Sequence, residues 1–123
     1  MEEYTELYNN GLFKLYGQFE RPIGYSRLTL KVDKKDFVGT GMFYLGEEDI
    51  VVLLNELEAM NNRLSGECII RDHESANFCH LFFEGRQLSI RGHLTLYSAE
   101  CLTFEDQVDQ TVLLPLIQLL RKV

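Results

Sequence analysis

The fold of this chain is decided by residues 78–93, which read FCHLFFEGRQLSIRGH. Two runs rich in apolar residues flank Gly85-Arg86, and glycine at the first central position of a two-residue loop is typical of a type II′ turn. The stretch therefore predicts a β-hairpin with a defined register. The predicted pairs are Phe83–Leu88, Leu81–Ile90 and Cys79–Gly92 on one face, and His80–Arg91 and Phe78–His93 on the other.

Further strands are predicted on both sides of this hairpin. Working towards the C-terminus, a tight connection at Ser98-Ala99-Glu100 leads into a strand over Cys101–Glu105. That connection places Leu94 opposite Phe104 and Leu96 opposite Leu102, so that apolar residues of both hairpins share one face. Working towards the N-terminus, strands are predicted over Glu67–Asp72, Phe37–Leu45 and Tyr25–Val32, with an edge strand at Leu12–Tyr16.

Two glycines lie in phase with the apolar residues of the strand over Phe37–Leu45. Gly39 and Gly41 lie on the same predicted face as Phe37, Phe43 and Leu45, at every second position of the strand. Glycines inside a strand mark either a bulge or a place where another element comes close. The sequence leaves both interpretations open.

Two amphipathic helices complete the prediction. The first spans about residues 47–64, because six apolar side chains fill one arc of its helical wheel: Ile50, Leu53, Leu54, Leu57, Met60 and Leu64. The second spans about residues 109–122 and begins near Asp109 or Thr111, because Pro115 is tolerated only in a first turn. Its wide apolar arc must be buried, either against the sheet or against a second copy of the chain.

The size and composition favour one α+β domain over residues 1–123. We expect an antiparallel β meander or a small curved sandwich of six to seven strands with two helices, and a frayed segment at residues 1–10. The three cysteines, Cys68, Cys79 and Cys101, form no CxxC pair, and we expect reduced core residues in a cytoplasmic protein. The longest apolar run, Ile50–Leu54, is far shorter than the roughly 18 residues of a membrane span.

The charge of the chain is unevenly distributed. Residues 1–40 hold six acids and six bases, whereas residues 41–123 hold thirteen acids and six bases, so the formal net charge of −7 arises there. An acidic chain is a poor partner for nucleic acids and anionic membranes, and a good one for a basic protein. The outward face of the first helix is the candidate partner-binding surface, although a solvated helix face would look the same. Its residues are Glu48, Val52, Asn55, Glu56 and Ala59.

A second candidate site lies on the hairpin, where His80, Arg91 and His93 share one predicted face. These residues suggest a small-ligand or anion site, or an enzyme, as the alternative to protein binding. Cys79 cannot use His80 as a base, because neighbouring strand residues point to opposite faces. We expect no catalytic residues, no metal site and no cofactor, and we interpret His73, between Asp72 and Glu74, as part of a solvated turn.

Phe78 and Phe82 lie on the polar face of the predicted hairpin and raise a third possibility. Apolar residues on both faces of a strand need cover, whether from an N-terminal segment, a helix or another chain. A structural homodimer joined through Phe78 and Phe82, or through the last helix, is therefore the remaining alternative.

Several local strings resemble a family of small bacterial proteins, the WapI-like immunity proteins. The resemblance is carried by residues 28–32 (LTLKV), 37–39 (FVG), 45–50 (LGEEDI), 92–94 (GHL), 102–104 (LTF) and 109–113 (DQTVL). It covers most of residues 25–123 and supplies no catalytic residues. The resemblance implies that the chain binds and blocks a toxin delivered by a neighbouring cell. Such toxins are commonly basic nucleases, and their inhibitors are commonly acidic.

Overall fold

The computed structural model describes residues 3–22, 24–96 and 100–121. Within these ranges the chain forms two four-stranded antiparallel meanders, and a helix follows each of them. The first half consists of β1 (Thr5–Asn9), β2 (Phe13–Glu20), β3 (Ser26–Lys34), β4 (Phe37–Leu45) and α1 (Glu47–Arg63). The second half consists of β5 (Glu67–Arg71), β6 (Phe78–Glu84), β7 (Gln87–Leu96), β8 (Glu100–Val108) and α2 (Leu113–Arg121), with a 3-10 turn at Gln110–Val112. The predicted α+β class, antiparallel strands and two helices are confirmed, but the described residues form eight strands rather than six or seven.

The N-terminal segment is more ordered than expected, since β1 lies within residues 1–10. Leu7 enters the core and is only 3% exposed, and β1 pairs with β2, which is therefore an internal strand and not an edge. The pairing register shifts between Glu6 and Tyr8. Such an irregularity breaks the simple alternation by which strands are recognised in a sequence.

The hairpin over residues 78–93 has the predicted register at all five pairs. The next hairpin differs by two residues, because Leu94 pairs with Leu102, Leu96 with Glu100 and Gly92 with Phe104. A Cβ atom on Gly92 would lie 2.9 Å from the Phe104 ring, so this glycine provides the space for Phe104. The shift is even, so Leu94 and Phe104 remain on the buried face. Ser98 and Ala99 of the predicted connection lie outside the described residues, and Glu100 already belongs to β8.

The two sheets meet where β4 lies against β7 and β8. A Cβ atom on Gly39 would lie 2.4 Å from the Cβ of Leu102, and one on Gly41 would lie 2.9 Å from a methyl group of Leu94. The register between β3 and β4 is regular throughout. Of the two interpretations of these glycines, close approach of another element is therefore correct and the bulge is not.

A buried asparagine, Asn77, joins the sheets at this boundary. Its Nδ2 donates to the carbonyl oxygens of Met42 in β4 (3.1 Å) and Thr95 in β7 (3.0 Å), and its Oδ1 accepts from the Thr95 N–H (2.9 Å). The side chain of Asp72, in the same loop, accepts from the backbone N–H of Tyr44 at 2.8 Å. Backbone groups at the outer edge of β4 are thus hydrogen-bonded to side chains instead of to a further strand.

The helices cover the core on the remaining side. In α1 the predicted inner residues Ile50, Leu53, Leu57 and Met60 are buried, but Leu64 is 41% exposed. The prediction that Leu64 belongs to the apolar arc is wrong. The helix ends at Arg63, and Leu64 follows as its C-cap in the left-handed conformation (φ 53°).

The second helix buries its apolar arc within the same chain. It packs against β1, β2 and α1, and Leu113, Leu116, Ile117, Leu119 and Leu120 are buried. The side chain of Asp109 accepts from the Thr111 N–H at 3.0 Å, and Pro115 falls in the first turn, where its missing N–H is harmless. Neither helix in the described part of the chain is long and apolar enough to cross a membrane.

The cysteines do not all lie in the core. Cys68 and Cys79 are buried, and burial raises the pKa of the Cys79 thiol to about 12 and that of Cys68 further still. Cys101 is exposed, contrary to expectation. It lies on the outer face of β8, out of phase with the buried Phe104.

We predict that Asn77→Ala lowers the free energy of unfolding by about 2–4 kcal/mol, because it removes three hydrogen bonds between the sheets. Asn77→Asp should be at least as damaging at pH 7, since a carboxylate would face two carbonyl oxygens. That carboxyl group would have a raised pKa in the folded state, so the variant should recover stability as the pH falls to 4. Urea unfolding at both pH values, with the exposed Asn62→Ala as control, measures these effects. A change below about 0.5 kcal/mol in Asn77→Ala would contradict the role.

We also predict that Gly39→Ala destabilises the protein by about 1–3 kcal/mol, because the added methyl group overlaps the Cβ of Leu102 rather than a flexible chain end. The matched control is Val38→Ala on the exposed neighbouring position, where a change within about 0.5 kcal/mol is expected. Equal midpoints of unfolding for the two variants would contradict a tight contact between the two sheets at Gly39.

Candidate functional site

The outer face of α1 is accessible, as the helical periodicity predicts. Glu48, Val52, Asn55 and Glu56 are exposed and Ala59 is partly buried. We call these five residues the acidic helix face. Val52 is 54% exposed, and Val51 beside it, which was not a predicted site residue, is 56% exposed and adds apolar surface.

The carboxylates of α1 divide into two groups. Asp49 bonds to His73 and Glu58 forms an ion pair with Arg121, so both serve the structure. Glu47, Glu48 and Glu56 form no ion pair with any other described residue. The exposed valines therefore lie along the helix between carboxylates that form no ion pair with a described residue, Glu47 and Glu48 before them and Glu56 after them.

A groove of about 250 Å³ runs between α1 and β5. We call it the helix groove. It is lined by Asp49, Val52, Leu53, Glu56, Ile69, Arg71 and His73. The acidic helix face thus supplies one wall, through Val52 and Glu56, and β5 supplies the other. The β5 residues were not among the predicted site residues.

A second cavity, of about 290 Å³, opens on the outer face of the second sheet. We call it the sheet pocket. It is lined by Ile69, Arg71, Phe78, His80 and Arg91. Ile69 and Arg71 belong to both cavities, so the two predicted sites adjoin each other.

The structure divides the predicted His80, Arg91 and His93 cluster. His80 and Arg91 come together, with Arg91 Nε donating to His80 Nδ1 at 3.1 Å. His93 is not part of the sheet pocket, because its Nδ1 lies 3.1 Å from the hydroxyl of Thr103 on the opposite side, towards β8. Extending the predicted register to β5 would have revealed Ile69 as a better third member, since Ile69 pairs with His80 and His80 with Arg91.

A chain of hydrogen bonds fixes the orientation of His80. Its Nδ1 accepts from Arg91, so the ring carries its proton on Nε2, which lies 2.7 Å from an oxygen of Glu67. The imidazole is buried, whereas Glu67 and Arg91 are exposed. The result is a Glu67–His80–Arg91 chain along the outer face of three strands.

Of the two phenylalanines on this face, Phe82 is covered by neighbouring polar side chains. The Arg91 guanidinium lies 5.2 Å from the centroid of the Phe82 ring, and the His80 ring lies 4.7 Å from the same centroid. Phe78 is half-buried in the wall of the sheet pocket. This arrangement satisfies the expected need for cover at Phe82 within one chain.

His73 lies exposed in a loop, as predicted, and it is also hydrogen-bonded to α1. Its Nε2 lies 2.8 Å from Asp49 Oδ2, and the same oxygen accepts from the Gly46 N–H at 2.8 Å. The hydrogen bond and the charge of Asp49 raise the pKa of His73, while the bonds from His73 and Gly46 lower the pKa of Asp49. The pair fastens the loop after β5 to the first turn of α1.

No protein family matches the chain, and no curated protein sequence matches it. In the ranges 3–22, 24–96 and 100–121, no three His, Cys, Asp or Glu residues are grouped so as to hold a metal ion.

We predict that the His73–Asp49 pair makes stability depend on pH. A raised pKa means that His73 stabilises the fold fully below its unfolded value of 6.5, and that this contribution is lost as the pH rises through the folded pKa. A lowered pKa means that Asp49 contributes above its unfolded value of 3.8, and that this contribution is lost as the pH falls through the folded pKa. Between these values both contributions are present.

Urea unfolding of the wild-type protein and His73→Gln at pH 5.5 and pH 8.5 measures this dependence. The two proteins should differ more at pH 5.5. In an Asp49→Asn background, which is the matched control, the pH dependence of the His73→Gln effect should shrink to the smaller part that comes from the charges of Asp72 and Glu74. A difference of equal size at both pH values would show that the pair acts through packing alone.

Proposed function

We propose that this chain is a non-enzymatic binding protein that receives a basic partner at the acidic helix face and the helix groove. The observation that carries the proposal is the position of Glu48 and Glu56, which form no ion pair with other described residues, around the exposed Val52 beside the groove. An apolar centre inside a charged rim is the usual composition of a protein interface.

Electrostatics supports a basic partner over a neutral one. The field of a net charge of −7 attracts an approaching cation-rich surface. The carboxylates of α1 that form no ion pair with a described residue are where that surface would bind. Opposite charges mainly accelerate association, so the advantage would be fast capture of the partner rather than a very slow release. The groove, at about 250 Å³, has room for one long side chain of that partner.

The sequence resemblance to WapI-like immunity proteins gives the partner a more specific identity. We infer a toxin that enters from another cell and that the chain blocks by occupying a basic surface. Fast capture would suit this role, because an incoming toxin must be bound before it acts.

The buried chemistry supports a role without catalysis. The thiols of Cys68 and Cys79 are held protonated by their surroundings, and Cys79 points into the core while the neighbouring His80 points out of the sheet. A thiol in that position is neither ionised nor able to use the adjacent imidazole as a base.

Two of the apolar surfaces on which the homodimer alternative depends are covered within one chain. The apolar arc of α2 is buried against β1, β2 and α1, and Phe82 is covered by its own sheet. The small-ligand alternative is favoured by a specific cavity, the sheet pocket.

The proposal predicts that Glu48→Lys combined with Glu56→Lys slows binding of the partner at low salt by about tenfold or more, and flattens the dependence of the association rate on salt. The partner to be used is the C-terminal domain of a secreted protein encoded next to this gene, whose expression should arrest growth. Co-expression of the wild-type chain should restore growth, and the double variant should restore it poorly.

The matched control is Glu84→Lys combined with Glu105→Lys, which makes the same change of charge on exposed residues of the second sheet. This control should bind within about threefold of the wild-type rate, since its charges lie away from α1. Equal rates and equal salt dependence for the wild type and the Glu48/Glu56 variant would overturn the proposal.

A further inference from the structure

The sheet pocket combines two guanidinium groups with an apolar floor. Arg71 and Arg91 are exposed at its mouth, while Ile69 and Phe78 are partly buried in its wall. His80, which is only 7% exposed, supplies one buried polar side chain between them. Cationic and apolar groups meeting in a cavity of about 290 Å³ favour a ligand that carries both an anion and an apolar body.

Neither arginine of the sheet pocket has its charge neutralised by an acidic partner among the described residues. The sequence holds nineteen acids against twelve lysines and arginines, yet neither Arg71 nor Arg91 forms an ion pair with another described residue. Glu105 lies directly opposite Arg91 in the register between β7 and β8. Arg91 nevertheless turns the other way, towards β6 and the sheet pocket.

The position of Arg91 is fixed before any ligand arrives. Its Nε donates to His80 Nδ1, its plane lies over Phe82, and His80 is in turn held by Glu67. These contacts occupy one edge of the guanidinium and leave its two Nη groups for a bidentate contact, which is the geometry that a carboxylate accepts. A preoriented donor loses little side-chain entropy on binding.

From these observations we propose that the sheet pocket binds a carboxylate attached to an apolar group. Arg91 and Arg71 hold the carboxylate, and Ile69 and Phe78 contact the apolar body. The chemistry is shared by a free aryl or alkyl carboxylic acid and by the C-terminal end of a polypeptide that finishes in an apolar residue. The proposal does not rest on the basic partner of α1, because the acidic helix face contributes nothing to this pocket.

The test is a titration of the whole chain with 3-phenylpropionate, followed by two-dimensional amide NMR spectra. Saturable shifts centred on Ile69, Arg71, Phe78 and Arg91 are expected. The neutral amide of the same acid should bind about tenfold more weakly or worse, and acetate should also bind more weakly because it lacks the apolar body. Equal binding of the acid and its amide, or shifts centred elsewhere, would overturn the proposal.

Two variants and a matched control locate the binding. Arg91→Gln and Arg71→Gln should each weaken binding of 3-phenylpropionate about tenfold, whereas Arg86→Gln, on the exposed turn of the same hairpin, should leave it unchanged. The Arg71 side chain forms no hydrogen bond with the part of the chain that the structure describes, so Arg71→Gln tests the assignment even if Arg91→Gln fails to fold. Retained affinity in Arg71→Gln, or equal loss in all three variants, would contradict the assignment.

A further arm distinguishes the two sources of the carboxylate. A short peptide ending in phenylalanine is compared as free acid and as C-terminal amide. Tighter binding of the free-acid peptide than of 3-phenylpropionate assigns the pocket to a polypeptide end, and weaker binding assigns it to a small acid. The Glu48→Lys and Glu56→Lys variant should bind 3-phenylpropionate at least as tightly as the wild type, because it adds positive charge near Arg71, so failure of this site and failure of the α1 interface are separable.

Discussion

The hydrogen bonds of Asn77 are the constraint on which the rest of the architecture depends. β4 and β7 lie next to each other without forming a ladder, so their facing backbone groups need another partner. One buried amide supplies it, with two donated bonds and one accepted bond. β4 can then approach β7 and β8 so closely that Gly41, next to Leu94, and Gly39, next to Leu102, have no room for side chains. An apolar residue of the same volume would leave those backbone groups buried without compensation.

The loop that carries Asn77 also sets the geometry of the candidate site. Asp72 holds the edge of β4, and His73 holds the first turn of α1 through Asp49. The same short segment therefore fixes α1 relative to both sheets, and with it the width of the helix groove. The acid that caps α1 is the one that His73 holds, so the start of the helix and the loop are coupled electrostatically.

The sequence predicts best where local chemistry alone determines the outcome. The hairpin at residues 78–93 was predicted correctly at every pair because Gly85-Arg86 admits one tight turn. The next register was off by two because it depends on a tertiary contact, Phe104 over Gly92. The outer face of α1 followed from helical periodicity. The residues that line the sheet pocket could not be predicted from periodicity, because they depend on the direction of two side chains. Arg91 turns towards β6, and His93 turns towards Thr103.

The distribution of charge on the folded chain restricts how a basic partner can approach. The net charge suggests a uniformly acidic surface, but Arg71 places a cation without an ion pair at the far wall of the helix groove, and Arg91 adds a second one in the adjoining sheet pocket. A basic surface is attracted by α1 and repelled by β5, so its contacts must centre on the helix and extend away from the sheet. A carboxylate bound between the arginines would remove part of that repulsion. Because such coupling between two sites is reciprocal, each ligand would then bind more tightly in the presence of the other.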